Sequence, residues 1–197
     1  MYSQRSEEHF ILEICKDIHW GRFLDIGAFN AMTFSNTRAL FELGWGGILV
    51  EPSPVPVKNL AIDYAGVERV EIIEGAITVE GGPLRLAVTD DAVSMSPSSE
   101  RFKDWQDHGH YGIITVCSLS MREFFARWGG DFQMVSIDTE GSSVDLFAEM
   151  IACGPRPRCV VVEHDSRFVE LSQHADKGNY RMVHENGENR VYEWTGR

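Results

Sequence analysis

The 197-residue chain predicts a doubly wound α/β fold, a mostly parallel seven-stranded sheet closed by an antiparallel C-terminal hairpin. Three observations predict it. Short apolar runs that end in an acid alternate with stretches of helical spacing, the pattern of a parallel sheet with crossover helices. Cys159-Val160-Val161-Val162-Glu163 is apolar throughout before its acid, as a central parallel strand covered on both faces must be. Tyr180 to His184 and Arg190 to Trp194 are β-rich and flank Asn186-Gly187, a hairpin signal.

The elements follow in order. Phe10, Ile11, Ile14 and Ile18 recur at helical spacing, so a short amphipathic helix over about 7–18 leads into the strand Phe23-Leu24-Asp25-Ile26. Gly27-Ala28 makes a tight turn. A helix that begins within Thr33 to Arg38 runs to Leu43, with Gly44 as its C-terminal stop. The strand Gly47 to Glu51, a helix from Val57 to Tyr64 and a strand from Val70 to Ile73 come next. Leu84 to Val88 and Ile113 to Val116 read as accessory strands around a polar loop of residues 90–112, a length that goes with a lid or substrate-binding element. Helical spacing over Met121 to Trp128, a buried strand from Met134 to Asp138 and a helix from Val144 to Ile151 precede the strand that ends at Glu163.

Composition bounds the function. A hydrophobic fraction of 43% suits one globular domain over residues 1–197. No apolar run approaches the ~20 residues of a membrane helix, and the N-terminus lacks the basic and apolar parts of a signal peptide. A cytoplasmic protein without membrane contact is expected. The net charge of -12 repels phosphate backbones, so no nucleic-acid partner is expected. The cysteines Cys15, Cys117, Cys153 and Cys159 lie apart in apolar surroundings and read as reduced, mostly buried thiols.

The stretch from strand to turn, helix, strand and acid is a nucleoside-binding half-fold. Gly27 allows close backbone approach, and Glu51, about 20 residues on, stands where such folds bind ribose hydroxyls. Phe29, Asn30 and Ala31 occupy positions where a dinucleotide fingerprint needs glycines, so a pyrophosphate cradle is disfavoured. S-adenosyl-L-methionine, with a ribose and no phosphates, fits better than NAD.

Leu24-Asp25-Ile26-Gly27-Ala28, Ser35-Asn36-Thr37, Leu43-Gly44-Trp45, Val50-Glu51-Pro52 and Ile137-Asp138-Thr139-Glu140-Gly141 resemble the FkbM-like S-adenosylmethionine-dependent methyltransferases, from about Phe23 to Trp194. The resemblance implies a Rossmann-like class I fold and O-methylation of a hydroxyl on a small-molecule or carbohydrate acceptor. The residues assigned to the cofactor are Asp25, Gly27, Ala28, Asn30, Ser35, Asn36, Glu51, Pro52, Gly75 and Ala76. Phe29 to Ala31 depart from the family's usual turn, so a non-catalytic cofactor-binding module stands as the alternative.

Methyl transfer from a sulfonium needs alignment, and a hydroxyl acceptor gains from a base. Asp138 and Glu140 fall at one strand end and His164 at the next, which makes these three the catalytic candidates. Blander readings stand beside each. Asp25 can cap turn amides, Ser35 and Asn36 can cap the following helix, and Asp138 and Glu140 can cap the helix at Ser142-Ser143. His164 can bond Asp165 or a loop carbonyl. His108 and His110 lack further ligands for a metal, and Trp105 and Tyr111 can stack on an acceptor or pin the loop. No ligand spacing demands a divalent metal, although the acids would suit one. The absence of Pro-Pro-Tyr or Pro-Pro-Phe after Asp138 speaks against methylation of a flipped base.

Overall fold

The structure is a computed structural model that describes residues 1–89, 94–95 and 111–196. Its elements are α1 (Glu7–Ile14), β1 (Arg22–Ile26), α2 (Arg38–Glu42), β2 (Gly46–Glu51), α3 (Pro54–Asp63), β3 (Val70–Glu74), β4 (Ala76–Thr78), β5 (Gly82–Thr89), β6 (Ser94–Met95) and β7 (Tyr111–Ser120). They continue as α4 (Met121–Trp128), β8 (Met134–Ile137), α5 (Ser143–Cys153), β9 (Cys159–Glu163), α6 (Phe168–Gly178), β10 (Tyr180–Glu185) and β11 (Asn189–Trp194).

Seven strands form the main sheet in the order β10-β11-β9-β8-β1-β2-β3. The pairs β1–β2, β2–β3, β1–β8 and β8–β9 are parallel, while β11 runs antiparallel to β9 and β10. The chain winds outward from β1 to β3 on one side and from β8 to β9 on the other. The crevice above the β1/β8 boundary is therefore the topological switch point, where open α/β sheets take ligands.

Two buried clusters cover the sheet's faces, as the period-2 alternation of strand side chains requires. Leu24, Ile26, Val135, Ile137, Val160 and Val162 pack with Phe124, Phe147 and Met150. Phe23, Leu49, Met134, Cys159 and Val161 pack with Ile11, Leu40 and Leu60. Asp25, between Leu24 and Ile26, and Ser136, between Val135 and Ile137, are polar exceptions and are buried.

Several boundaries differ from the sequence reading. Within the stretch Thr33 to Arg38 where the helix is expected to begin, α2 starts at its last residue, because Phe34 takes a left-handed φ of 62° and the Ser35 hydroxyl accepts the Arg38 N–H. Gly44, at φ 94°, closes it as expected. The N-terminal helix stops at Ile14, short of Ile18. Helix α3 starts earlier than Val57, since Pro54 sits preorganised at its first turn. Helix α6 was not read at all, because Leu171, Ala175 and Gly178 are its only buried residues.

The accessory strands form a second sheet of their own, ordered β4-β7-β5-β6. The lid expectation, with Trp105, His108 and His110, falls mainly on residues 90–93 and 96–110, outside the described residues, as does the Tyr111 side chain. Of the cysteines, Cys15 and Cys159 are buried, whereas Cys117 is exposed on β7. Among the described residues no helix is long and apolar enough to cross a membrane.

Candidate functional site

Backbone strain marks the carboxyl edge of the main sheet. Phe29 and Phe34 after β1, Glu140 after β8, and Asp165 and Ser166 after β9 hold positive φ without being glycine. Such conformations cost about 1–3 kcal/mol each and cluster at functional loops.

At the β1/β2 end, Gly27 serves a closer contact than the sequence reading gave it. A Cβ there would lie 1.7 Å from the Asp138 carbonyl oxygen, so the glycine admits the backbone at the end of β8. The Gly27 and Ala28 amides both donate to Val50 O, at 2.9 and 3.2 Å. Glu51 ends β2 as expected and is 4% exposed. Its Oε2 accepts from Phe29 N at 3.0 Å and its Oε1 from Ser53 N at 2.7 Å. Burial raises its pKa against those bonds. Each carboxylate oxygen keeps a second lone pair for a further donor.

Asp25 points beneath the turn, where it accepts from the Thr37 hydroxyl at 2.7 Å. Burial pushes its carboxyl up to about 6. Asn30 closes a local turn by accepting from Met32 N and Thr33 N. Asn36 donates from Nδ2 to Ser136 Oγ at 3.1 Å, and its buried Oδ1 has no hydrogen-bond partner. Pro52 is half-buried between β2 and α3. Gly75 donates to Glu51 O, and Ala76 opens β4, so this turn leads into the second sheet.

At the β8/β9 end the acids face one another. Asp138 and Glu163 follow Ile137 and Val162, which are register partners on adjacent parallel strands. Glu163 Oε2 accepts from Glu140 N at 3.1 Å and from the Ser143 hydroxyl at 3.3 Å. Asp138, Glu140 and Glu163 each offer a carboxylate oxygen within 4.8 Å of the others, a donor set that suits a hard divalent ion. Burial, and next the negative charge of Glu163, hold Asp138 well above the carboxylate range. The Thr139 N–H donates to Ser143 Oγ, so that serine handles the turn before α5.

His164 is 6% exposed, and both ring nitrogens face backbone. Nδ1 accepts from Ser166 N at 3.1 Å, and Nε2 lies 3.4 Å from Asn186 O. This is the loop-carbonyl alternative weighed from the sequence. The residue that reasoning missed as a site member is Glu163. Its signal was present, because an acid ending the most apolar strand meets whatever ends the neighbouring strand.

No protein-family model and no curated protein sequence matches the chain. Solved structures resemble it in fold. The fibrillarin pre-rRNA processing protein of Methanococcus jannaschii matches with a TM-score of 0.53 at 12% identity, over 91% of this chain and 68% of that one. A TehB-like SAM-dependent methyltransferase from Corynebacterium glutamicum matches with a TM-score of 0.51 at 10% identity, over 98% and 89%. A tRNA methyltransferase from B. subtilis matches with a TM-score of 0.50 at 12% identity, over 98% and 68%. The fold is that of the Rossmann-like class I methyltransferases.

These likenesses correct the expectation of no nucleic-acid partner. The same fold carries a protein described as a tRNA methyltransferase. A net charge of -12 is a sum over the whole surface and does not describe the groove that meets a substrate.

Proposed function

We propose that the chain is an S-adenosylmethionine-dependent methyltransferase of FkbM-like type that methylates a hydroxyl of a small molecule or glycan. The observation that carries this reading is the Asp138–Glu163 pair at the switch point. A carboxylate whose proton affinity is raised by burial and by a like charge is a better base for a hydroxyl than a free one. Asp138, once ionised, would accept the hydroxyl proton as the oxygen takes the methyl group from the sulfonium.

The residues present fit the cofactor. Glu51 would accept from the ribose hydroxyls through its remaining lone pairs, and the orphaned Asn36 Oδ1 is an acceptor for the ammonium of the amino-acid end. S-adenosylmethionine brings the electrophilic methyl group on its sulfonium. The chain binds, aligns and excludes water. The Phe29 departure leaves the turn intact, since Phe29 N still bonds Glu51.

The test is incubation with radiolabelled S-adenosylmethionine and separate panels of hydroxylated small molecules, glycans and RNA. Label on an acceptor oxygen is the expected result. Transfer to a base nitrogen of RNA, or no transfer despite cofactor binding, would replace this reading with a nucleic-acid enzyme or a binding module.

A further inference from the structure

We propose that Glu7 fixes the orientation and tautomer of His164, and with it the β9 end that carries Glu163, through the β10–β11 turn, an inference that rests on the methyl-transfer reading of that strand end. Glu7 opens α1 and is 0% exposed. Its Oε2 accepts from Arg5 N at 2.7 Å, while its Oε1 accepts from Asn186 Nδ2 at 2.8 Å and Asn189 Nδ2 at 2.9 Å. Those donors hold its pKa below the ordinary value even though burial, the largest influence, pushes the other way.

Asn186 lies in the β10–β11 turn and Asn189 opens β11, which pairs with β9. Asn186 Oδ1 accepts from Glu188 N and Asn189 N, so both ends of this amide are committed and the turn has one shape. That turn presents two carbonyls to His164: Glu188 O accepts its backbone N–H at 2.9 Å, and Asn186 O faces Nε2 at 3.4 Å. With Ser166 N donating to Nδ1, the ring proton belongs on Nε2. Asn189 is also the register partner of Glu163. One carboxylate, 179 positions from Asn186, thus holds the frame around the residues that end β9.

A stability role alone does not call for a charge here. Helix α1 already buries Ile11 and Ile14, and a buried ion is seldom more stabilising than apolar packing of equal volume. What the carboxylate adds is direction, because it accepts two side-chain amides at one oxygen.

The test compares wild type, Glu7→Ala and Glu7→Gln by 15N-detected NMR of the histidine rings, amide hydrogen exchange, and calorimetric titration with S-adenosylmethionine. Wild type should show His164 as a single Nε2–H tautomer. In Glu7→Ala that pattern should be lost, and exchange of the His164 and Asn189 amides should speed by about tenfold or more while β1 amides keep their rates, the mark of local rather than global opening. Glu7→Gln keeps one acceptor oxygen and the side-chain shape, so its change should have the same sign and be smaller; it decides the matter alone should Glu7→Ala not fold. An unchanged His164 ring in the folded variants, or exchange that rises equally throughout, would overturn the proposal. Failure of wild type to bind S-adenosylmethionine would remove the methyl-transfer reading instead, and the spectra would still judge the link from Glu7 to His164.

Discussion

Glu51 and Asp138 end strands on the same edge of the sheet, one on each side of β1, yet they are held in opposite ways. Both Glu51 oxygens accept backbone amides, so its charge is met by fixed dipoles. Asp138 is half-buried and faces Glu163, so its charge is opposed. The negative charge of Asp25 beneath them raises both. The contrast separates two tasks that one residue type can do. A carboxylate anchored by amides is suited to hold a ligand, and one whose proton affinity is raised by a neighbouring negative charge is suited to accept a proton.

The strongest way to break this contrast is at Asp138. Asp138→Asn should lower turnover by about a hundredfold to ten-thousandfold while leaving cofactor affinity nearly unchanged, because a base acts in the transition state. Initial-rate kinetics beside calorimetry would read the two effects separately. Equal losses in both would move Asp138 to the cofactor.

Gly27→Ala should cost about 4 kcal/mol or more in denaturant unfolding, since its Cβ would meet the Asp138 carbonyl and push the two ends apart. Wild-type stability would mean that the β1–β8 contact can relax.

The pH dependence of stability sharpens the comparison. Asp25 has a folded pKa of about 6 against an ordinary value of 3.8, so between those values the folded state holds a proton that the unfolded state has released. Stability should therefore fall as pH rises through this window, by up to about 3 kcal/mol from this group. Asp25→Asn should flatten that slope in unfolding curves from about pH 4 to 7. A slope unaltered by the substitution would assign the effect to another group.

Glu51→Ala should weaken S-adenosylmethionine by about 1.5–3 kcal/mol, the range for hydrogen bonds to a charged group. Unchanged affinity in a folded variant would leave Glu51 as a clamp for Phe29 and Ser53 only. The smallest expected effect is that of EDTA, which should leave turnover as it was. Loss of activity restored by magnesium would make Asp138, Glu140 and Glu163 metal ligands.

The sheet was legible because its information is local: apolar runs ending at Ile26, Glu51, Ile137 and Glu163, each followed by turn residues. The hairpin was legible for the same reason, with Asn186 and Gly187 between its strands. The start of helix α2 is legible only to the stretch Thr33 to Arg38, because the left-handed Phe34 carries no sequence mark. The site was legible in residue type and much less so in role. Gly27 has the same appearance whether it faces a ligand or a neighbouring strand. His164 was favoured over Glu163 as the base because imidazoles titrate near neutral pH, whereas the structure binds both its nitrogens to backbone groups. Which acid meets which depends on strand order, and strand order is not a property of any local stretch.

The pairing of β1 with β8 has a consequence for how the chain comes to be folded. Arg22 N bonds Gln133 Oε1 across 111 positions, with the whole second sheet in the loop between them. Closing so long a loop adds little to its entropic cost beyond a loop of half that length, but pairings this remote in sequence slow the search. During synthesis the Glu51 half is complete long before Asp138 or Glu163 has been made. A truncated chain ending before β8 would leave one edge of β1 open for pairing with other strands, a template for aggregation rather than a partial enzyme.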